Sequence, residues 1–134
     1  MPVFGRAKSI NSGYGRVKMD VEELFDRSRP INARCANLYG AKLQGADLTC
    51  ADLSGAHLGG ANLYGAKLQG AYLRNAFLGY ACLRGACLRG ADLTDADLRG
   101  ADFTDADLTD ADLRGAYRDT GTITAAQLAT TRHF

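Results

Sequence analysis

From Ala36 to Thr120 the apolar and polar positions recur with a period of five, in one unbroken frame of seventeen units. The first reads Ala36-Asn37-Leu38-Tyr39-Gly40 and the last Ala116-Tyr117-Arg118-Asp119-Thr120. Ala opens all seventeen; the third place is Leu in fifteen, with Phe103 and Arg118 as the exceptions; the fifth is Gly, Asn or Asp in fourteen. A helix turns about 100° per residue, so a five-residue step rotates each Leu by about 140° and no apolar stripe results. A straight strand alternates with period 2, so an odd step throws successive Leu residues to opposite faces. The chain must therefore turn once per unit. A short extended side followed by a corner points the first and third residues inward and turns the second, fourth and fifth to water. Gly supplies the positive φ that corners need, and Asn and Asp tolerate it best among the rest. Successive turns of such a coil stack as β-ladders, which makes the fold an all-β solenoid.

The A-(D/N)-L-x-x unit resembles that of the pentapeptide repeat family, and the match covers 85 of the 134 residues. The resemblance implies four units per coil and a right-handed quadrilateral β-helix of about four coils. At ~4.8 Å per coil the rod is about 20 Å long, short for the family. Leu38, Leu58, Leu78 and Leu98, with Leu43, Leu63, Leu83 and Phe103, are the expected core ladders. Both pairs of near-identical copies, ANLYGAKLQGA at Ala36 and Ala61 and ADLTDADLRGA at Ala91 and Ala106, are offset by multiples of five but not of twenty. Any side of the rod is thus expected to carry any unit, with specificity left to outward residues.

The flanks break the period. Residues 1–18 are basic, contain Gly and Ser, and read as a flexible arm. Residues 19–35 form the N-terminal cover: Asp20 and Glu23 have capping-box spacing, Val21, Leu24 and Phe25 give one apolar face, and Pro30 stops the helix. Ile31 to Cys35 is in frame but has Ile first and Ala third, a degenerate opening unit. Residues 121–134 are expected to cover the other end, with a helix started by Thr124 and Gln127 at capping-box spacing. Open solenoid ends expose unpaired strand edges and need such covers.

Net charge is +1 with 46% apolar residues, which fits one soluble domain and names no partner. Its distribution is uneven: +3 over residues 1–35, −3 over the repeats and +1 in the tail. Arg6, Lys8, Arg16 and Lys18 lie in a Gly-containing segment and read as solvated rather than as a nucleic-acid site. No apolar run has the length of a signal peptide or membrane span, so a cytoplasmic location is expected. Cys35, Cys50, Cys82 and Cys87 match no zinc motif or disulfide framework, and reduced thiols suit that compartment. His57 and His133 have no partner at a recognised ligand or nucleophile spacing. No phosphate-binding Gly loop is present, because these glycines recur as corners. Neither cofactor, metal nor catalysis is expected.

Two outward clusters remain. Tyr64, Tyr72, Arg74, Phe77, Tyr80 and Arg84 combine exposed rings with arginines, the composition of interaction hot spots; Tyr72, Phe77 and Tyr80 are expected around one corner. From Ala91 to Gly115 stand eight Asp and two Arg, and Asp92, Asp97, Asp102, Asp107 and Asp112 occupy second places. Asp92 and Asp112 are one coil apart and stack, a like-charge arrangement that costs stability. The expected function is a non-enzymatic binding scaffold whose protein partner is not specified by the sequence, with the aromatic cluster as contact. The resemblance implies a second reading. The best-understood branch of the family resembles duplex DNA in shape and charge, binds DNA gyrase or topoisomerase IV, and protects against quinolones. This chain departs from that branch in its short rod, its lack of an inserted loop and its net charge, so gyrase is the disfavoured partner. In parts of the family a C-terminal helix joins two rods, and Ile123, Leu128 and Phe134 are the residues here for such a homodimer.

Overall fold

The computed structural model describes residues 31–132. The expected arm at 1–18, the helix after Met19, and the contributions of His133 and Phe134 lie outside the described residues.

From Ile31 to Tyr117 the chain is a four-sided β-helix. Each second residue forms a parallel bridge with the residue twenty positions on, from Asn32↔Asp52 through Asp97↔Tyr117, so four units close one coil. The bonding within a unit is uniform. Leu38 N–H donates to His57 O at 2.8 Å, Gly40 N–H to Gly59 O at 2.9 Å, and His57 N–H back to Ala36 O at 2.9 Å. At the corner Ala41 N–H donates to Leu38 O at 3.0 Å, closing a four-residue turn with Gly40 at its third position. Positive φ at that position, and not at the one before it, makes the turn type II. Every fifth residue from Cys35 to Gly115 has φ between 54° and 73°. Seven of these are not glycine, Tyr80 among them at 59°, and each costs on the order of 1 kcal/mol relative to glycine.

First and third places from Ala33 to Leu113 are at most 7% exposed, and no polar or charged residue among the described ones is buried. The expected core ladders are all in this interior, with Phe103 filling the place of a Leu. Ile31 packs against the core from the open side, and Asn32 pairs with Asp52, so Ile31 to Cys35 forms the first rung. Small Ala beside large Leu on each side lets four walls approach a common axis.

The last coil is completed by imitation of a further one. Asp119 gives its carboxylate to Gly100 N–H at 2.7 Å, where a carbonyl of the next coil would stand. Helix α1, Ala125–Thr130, starts at the capping box of Thr124 and Gln127. Gln127 Nε2 donates to Phe103 O at 2.7 Å and Ala106 O at 3.1 Å. After α1, Asp110 N–H reaches Thr130 O and Arg132 N–H reaches Ala111 O, both at 2.9 Å. Side chains and the backbone at the end of α1 thus satisfy edge groups that a solenoid would otherwise leave open. Ile123 is 2% exposed and Leu128 packs on the same core. Their apolar surfaces are therefore used within this rod, which removes Ile123 from the contact expected between two rods.

Candidate interaction surface

The bridge register sorts outward residues into four sides. The first carries Asn32, Asp52, Tyr72, Asp92 and Asp112 at second places; the second Asn37, His57, Phe77, Asp97 and Tyr117; the third Lys42, Asn62, Cys82 and Asp102; the fourth Asp47, Lys67, Cys87 and Asp107.

Asn and Asp at second places have one structural task. In each such unit the side-chain Oδ1 accepts the backbone N–H of the fourth residue, as in Asn62 with Tyr64 at 3.0 Å, Asp92 with Thr94 at 3.0 Å and Asp102 with Thr104 at 3.0 Å. This Asx turn ties the side to its corner and satisfies an N–H that no neighbouring coil reaches. Where the fourth residue is Thr, its hydroxyl donates to the same oxygen, at 2.6 Å in both Asp102 and Asp107. Those hydroxyl bonds, followed by the Thr N–H, hold the Asp102 and Asp107 carboxyls below the ordinary carboxylate range. Asp97 is lowered first by the Arg99 side chain, which binds it through Nε at 2.9 Å and a terminal nitrogen at 2.7 Å.

The five aspartates therefore do not share a surface. Asp92, Asp97, Asp102 and Asp107 stand on four different sides of one coil, and only Asp112 shares a side with another, above Asp92. An arginine ladder also counters them. Arg74 reaches Asp92 at 3.9 Å and Arg89 reaches Asp107 at 3.3 Å, from fourth places eighteen residues earlier; Arg84 stands in the same register to Asp102 and helps hold its carboxyl down. Arg99 and Arg114 pair within their own units at 2.7 and 2.6 Å. Arg114 also feels Asp92, so both of the stacked aspartates, Asp92 and Asp112, have guanidinium charge nearby. Exposed pairs of this kind contribute little stability each, but they set a cation against five of the eight aspartates between Ala91 and Gly115 and weaken the field of the acidic band.

The six residues of the aromatic cluster are likewise distributed. Tyr72 and Arg74 lie on the first side, Phe77 on the second, and Tyr64 and Arg84, twenty residues apart, on the third. Tyr72 and Phe77 flank the corner at Asn75, while Tyr80 forms the following corner, so the three rings do not meet at one. The second side instead gathers rings distant in sequence. His57 and Phe77 stack with centroids 4.8 Å apart and planes 25° apart, and Tyr117 is in their column. Tyr39, at a fourth place, lies across Gly59 with its ring carbons 3.1 and 3.2 Å from where a Cβ would sit. Gly59 and Gly79 carry no side chain between these rings, and the place above Gly59 is taken by Tyr39. Tyr80, 82% exposed, borders the same side, with its ring over Gly100. Tyr39 and Tyr117 were not singled out by sequence reading, and His57 only as a residue without a ligand partner; inspecting the outward places at a spacing of twenty would have found the column.

That spacing also explains four corner glycines. Cys35, Cys50, Tyr80 and Asp95 each lean toward the next coil, and the residue above is Gly55, Gly70, Gly100 and Gly115, where a Cβ would meet them. The four cysteines are free; Cys82 and Cys87 stand on the third and fourth sides. Among the described residues no group of His, Cys, Asp or Glu is arranged to hold a metal ion, and no helix is long and apolar enough to cross a membrane.

The sequence profile of pentapeptide repeats, in 8 copies, matches residues 51–90 and 81–117. Similar solved structures include two cyanobacterial pentapeptide repeat proteins. One, Rfr23 of Cyanothece 51142, is 33% identical over 71% of this chain and 65% of that one, with a TM-score of 0.40. The other, from Nostoc Pcc 7120, is 32% identical over 78% of this chain and 86% of that one, with a TM-score of 0.42. QnrB1, a plasmid-mediated fluoroquinolone resistance protein, is 23% identical over 62% of this chain and 56% of that one, with a TM-score of 0.36. The chain thus spans about two thirds or less of two of these three proteins. No curated protein sequence matches. A profile that covers half the chain, and a coil in which every fourth unit returns to the same column, place this protein in the pentapeptide repeat family.

Proposed function

We propose that the chain is a non-enzymatic protein-binding scaffold whose contact is the second side of the rod. The observation that carries this reading is the column of His57, Phe77 and Tyr117, with Tyr39 and Tyr80 beside it. Rings held at coil spacing on hydrogen-bonded backbone are pre-organised, so little side-chain entropy remains to be lost on binding. Exposed aromatics in such number are the usual anchors of protein contacts. The earlier cluster contributes Phe77 and Tyr80 to this surface, while Tyr64, Tyr72, Arg74 and Arg84 face elsewhere.

Mimicry of DNA toward a type II topoisomerase is the weaker reading. Asp92, Asp97, Asp102, Asp107 and Asp112 encircle the rod, but Arg74, Arg84, Arg89, Arg99 and Arg114 stand against them. The likeness to QnrB1 extends to the fold alone.

Crosslinking in cell extract, followed by identification of what is captured, tests the scaffold reading. A protein retained by the wild type and lost with Phe77→Ser plus Tyr117→Ser, at unchanged melting temperature, is expected. A gyrase supercoiling assay runs beside it. Inhibition or quinolone protection that vanishes when the five aspartates become Asn would reverse the order of the two readings.

A further inference from the structure

On the second side, above the His57–Phe77 stack, lies a notch of ≈ 340 Å³ lined by Phe77, Asn75, Asp95, Asp97, Arg99 and Tyr117. Its walls are set by the β-helix itself. Phe77, Asp97 and Tyr117 are successive residues of one column, so the backbones that carry the two rings are two coils, about 9.6 Å, apart with Asp97 between them. One face of Phe77 is covered by His57; the other is turned toward the notch. Phe77 is 48% and Tyr117 63% exposed, and neither needs to move to admit a ligand from solvent.

The charges are unequal. Asp97 is held through both carboxylate oxygens by the Arg99 guanidinium, so that pair is internally neutral. Asp95, at the corner, has no ion pair among the described residues, and its Oδ1 lies over Gly115. Two carboxylates against one guanidinium leave the notch with one negative charge. Aromatic faces attract a cation within ≈ 6 Å of the ring centroid, and Phe77 and Tyr117 both line the notch, beside the column position of Asp97 and its partner Arg99. A neutral apolar side chain would gain the rings but leave Asp95 uncompensated.

We propose that this notch receives a basic side chain, arginine or lysine, from the partner protein, with Phe77 and Tyr117 as its walls and Asp95 as its counter-charge. The proposal rests on the scaffold reading above and names the chemistry of the partner's anchoring residue.

The test is an NMR titration of the full chain with N-acetylarginine methylamide, following the ring protons of Phe77 and Tyr117, beside a titration with the neutral isostere N-acetylcitrulline methylamide. Saturable shifts of both rings are expected, with binding about fivefold tighter for the arginine derivative, and Asp95→Asn is expected to remove that preference. Equal shifts from the two compounds, or shifts that leave Phe77 and Tyr117 unmoved, would overturn the assignment. A second variant, with Arg6, Lys8, Arg16 and Lys18 changed to Gln, asks whether the chain fills its own notch. Movement of the two ring signals in that variant without added ligand would overturn an external partner. Asp95→Asn that releases the protein captured in the scaffold test supports the proposal. Capture that depends on Phe77 and Tyr117 with no arginine preference overturns the basic side chain alone and leaves the scaffold reading standing.

Discussion

Leu78 and Phe77 are neighbours in sequence, both large and apolar, and the fold assigns them opposite environments. Leu78 is fully buried in the third coil, between Leu58 and Leu98, whereas Phe77 is half exposed on the second side. Leu78→Ala removes three carbons, a transfer loss of about 2.4 kcal/mol at ~0.8 kcal/mol per buried carbon. The cavity adds to it unless the walls close. Here the walls are backbone: Leu58 N–H is bonded to Phe77 O and Leu78 N–H to Asp97 O, both at 2.7 Å, so inward collapse would break ladder bonds above and below. The cost is therefore expected in the upper part of the usual range for such truncations, about 4 kcal/mol. For a folded unit of this size that lowers Tm by roughly 15 °C. Phe77→Ala loses a half-exposed ring and one stacking contact and is expected to cost about 1 kcal/mol. Thermal melts followed by circular dichroism, with urea titrations to confirm an unchanged m-value, measure both. Equal Tm values for the two variants would refute the assignment of third places to the interior and second places to water.

Three further outcomes follow from the same geometry. Asp102→Asn keeps an Oδ1 to accept the Thr104 N–H and is expected to melt near wild type, whereas Asp102→Ala gives up that bond and loses about 1 kcal/mol in urea unfolding. Asp97, Asp102 and Asp107 have carboxyl pKa values below the ordinary 3.8 in the folded rod. Their contribution is present above about pH 4 and lost as pH falls through the lowered values, so melting temperatures between pH 7 and 2 should stay level to about pH 4 and then drop. Gln127→Ala removes the reciprocal half of the α1 capping box and the two bonds to Phe103 O and Ala106 O; a loss of about 1–2 kcal/mol and faster amide exchange at Asp110 and Arg132 are expected, with the amides of the middle coils unchanged.

Much of this protein was legible in its residues because a short repeat leaves few choices. Seventeen Ala residues and the Leu row, spaced two apart in a frame of five, admit one inward pair per unit, and a fifth place of Gly, Asn or Asp admits a left-handed corner. Thr124 and Gln127 likewise declare their helix start through local spacing. What the frame of five does not contain is the closure of the coil. Four units per turn came from the family likeness, and only with that register in the structure does residue n meet residue n + 20. Each corner turns the next unit to a new side, so neighbours such as Tyr72 and Phe77 part, while His57 and Phe77 stack. The same rotation spread five aspartates around the rod and set Arg89 against Asp107 eighteen residues on. The sequence by itself determined which residues point inward, because burial is a property of each unit alone. Only the tertiary structure decided which outward residues share a surface, because that depends on how many corners the chain takes before it returns above itself.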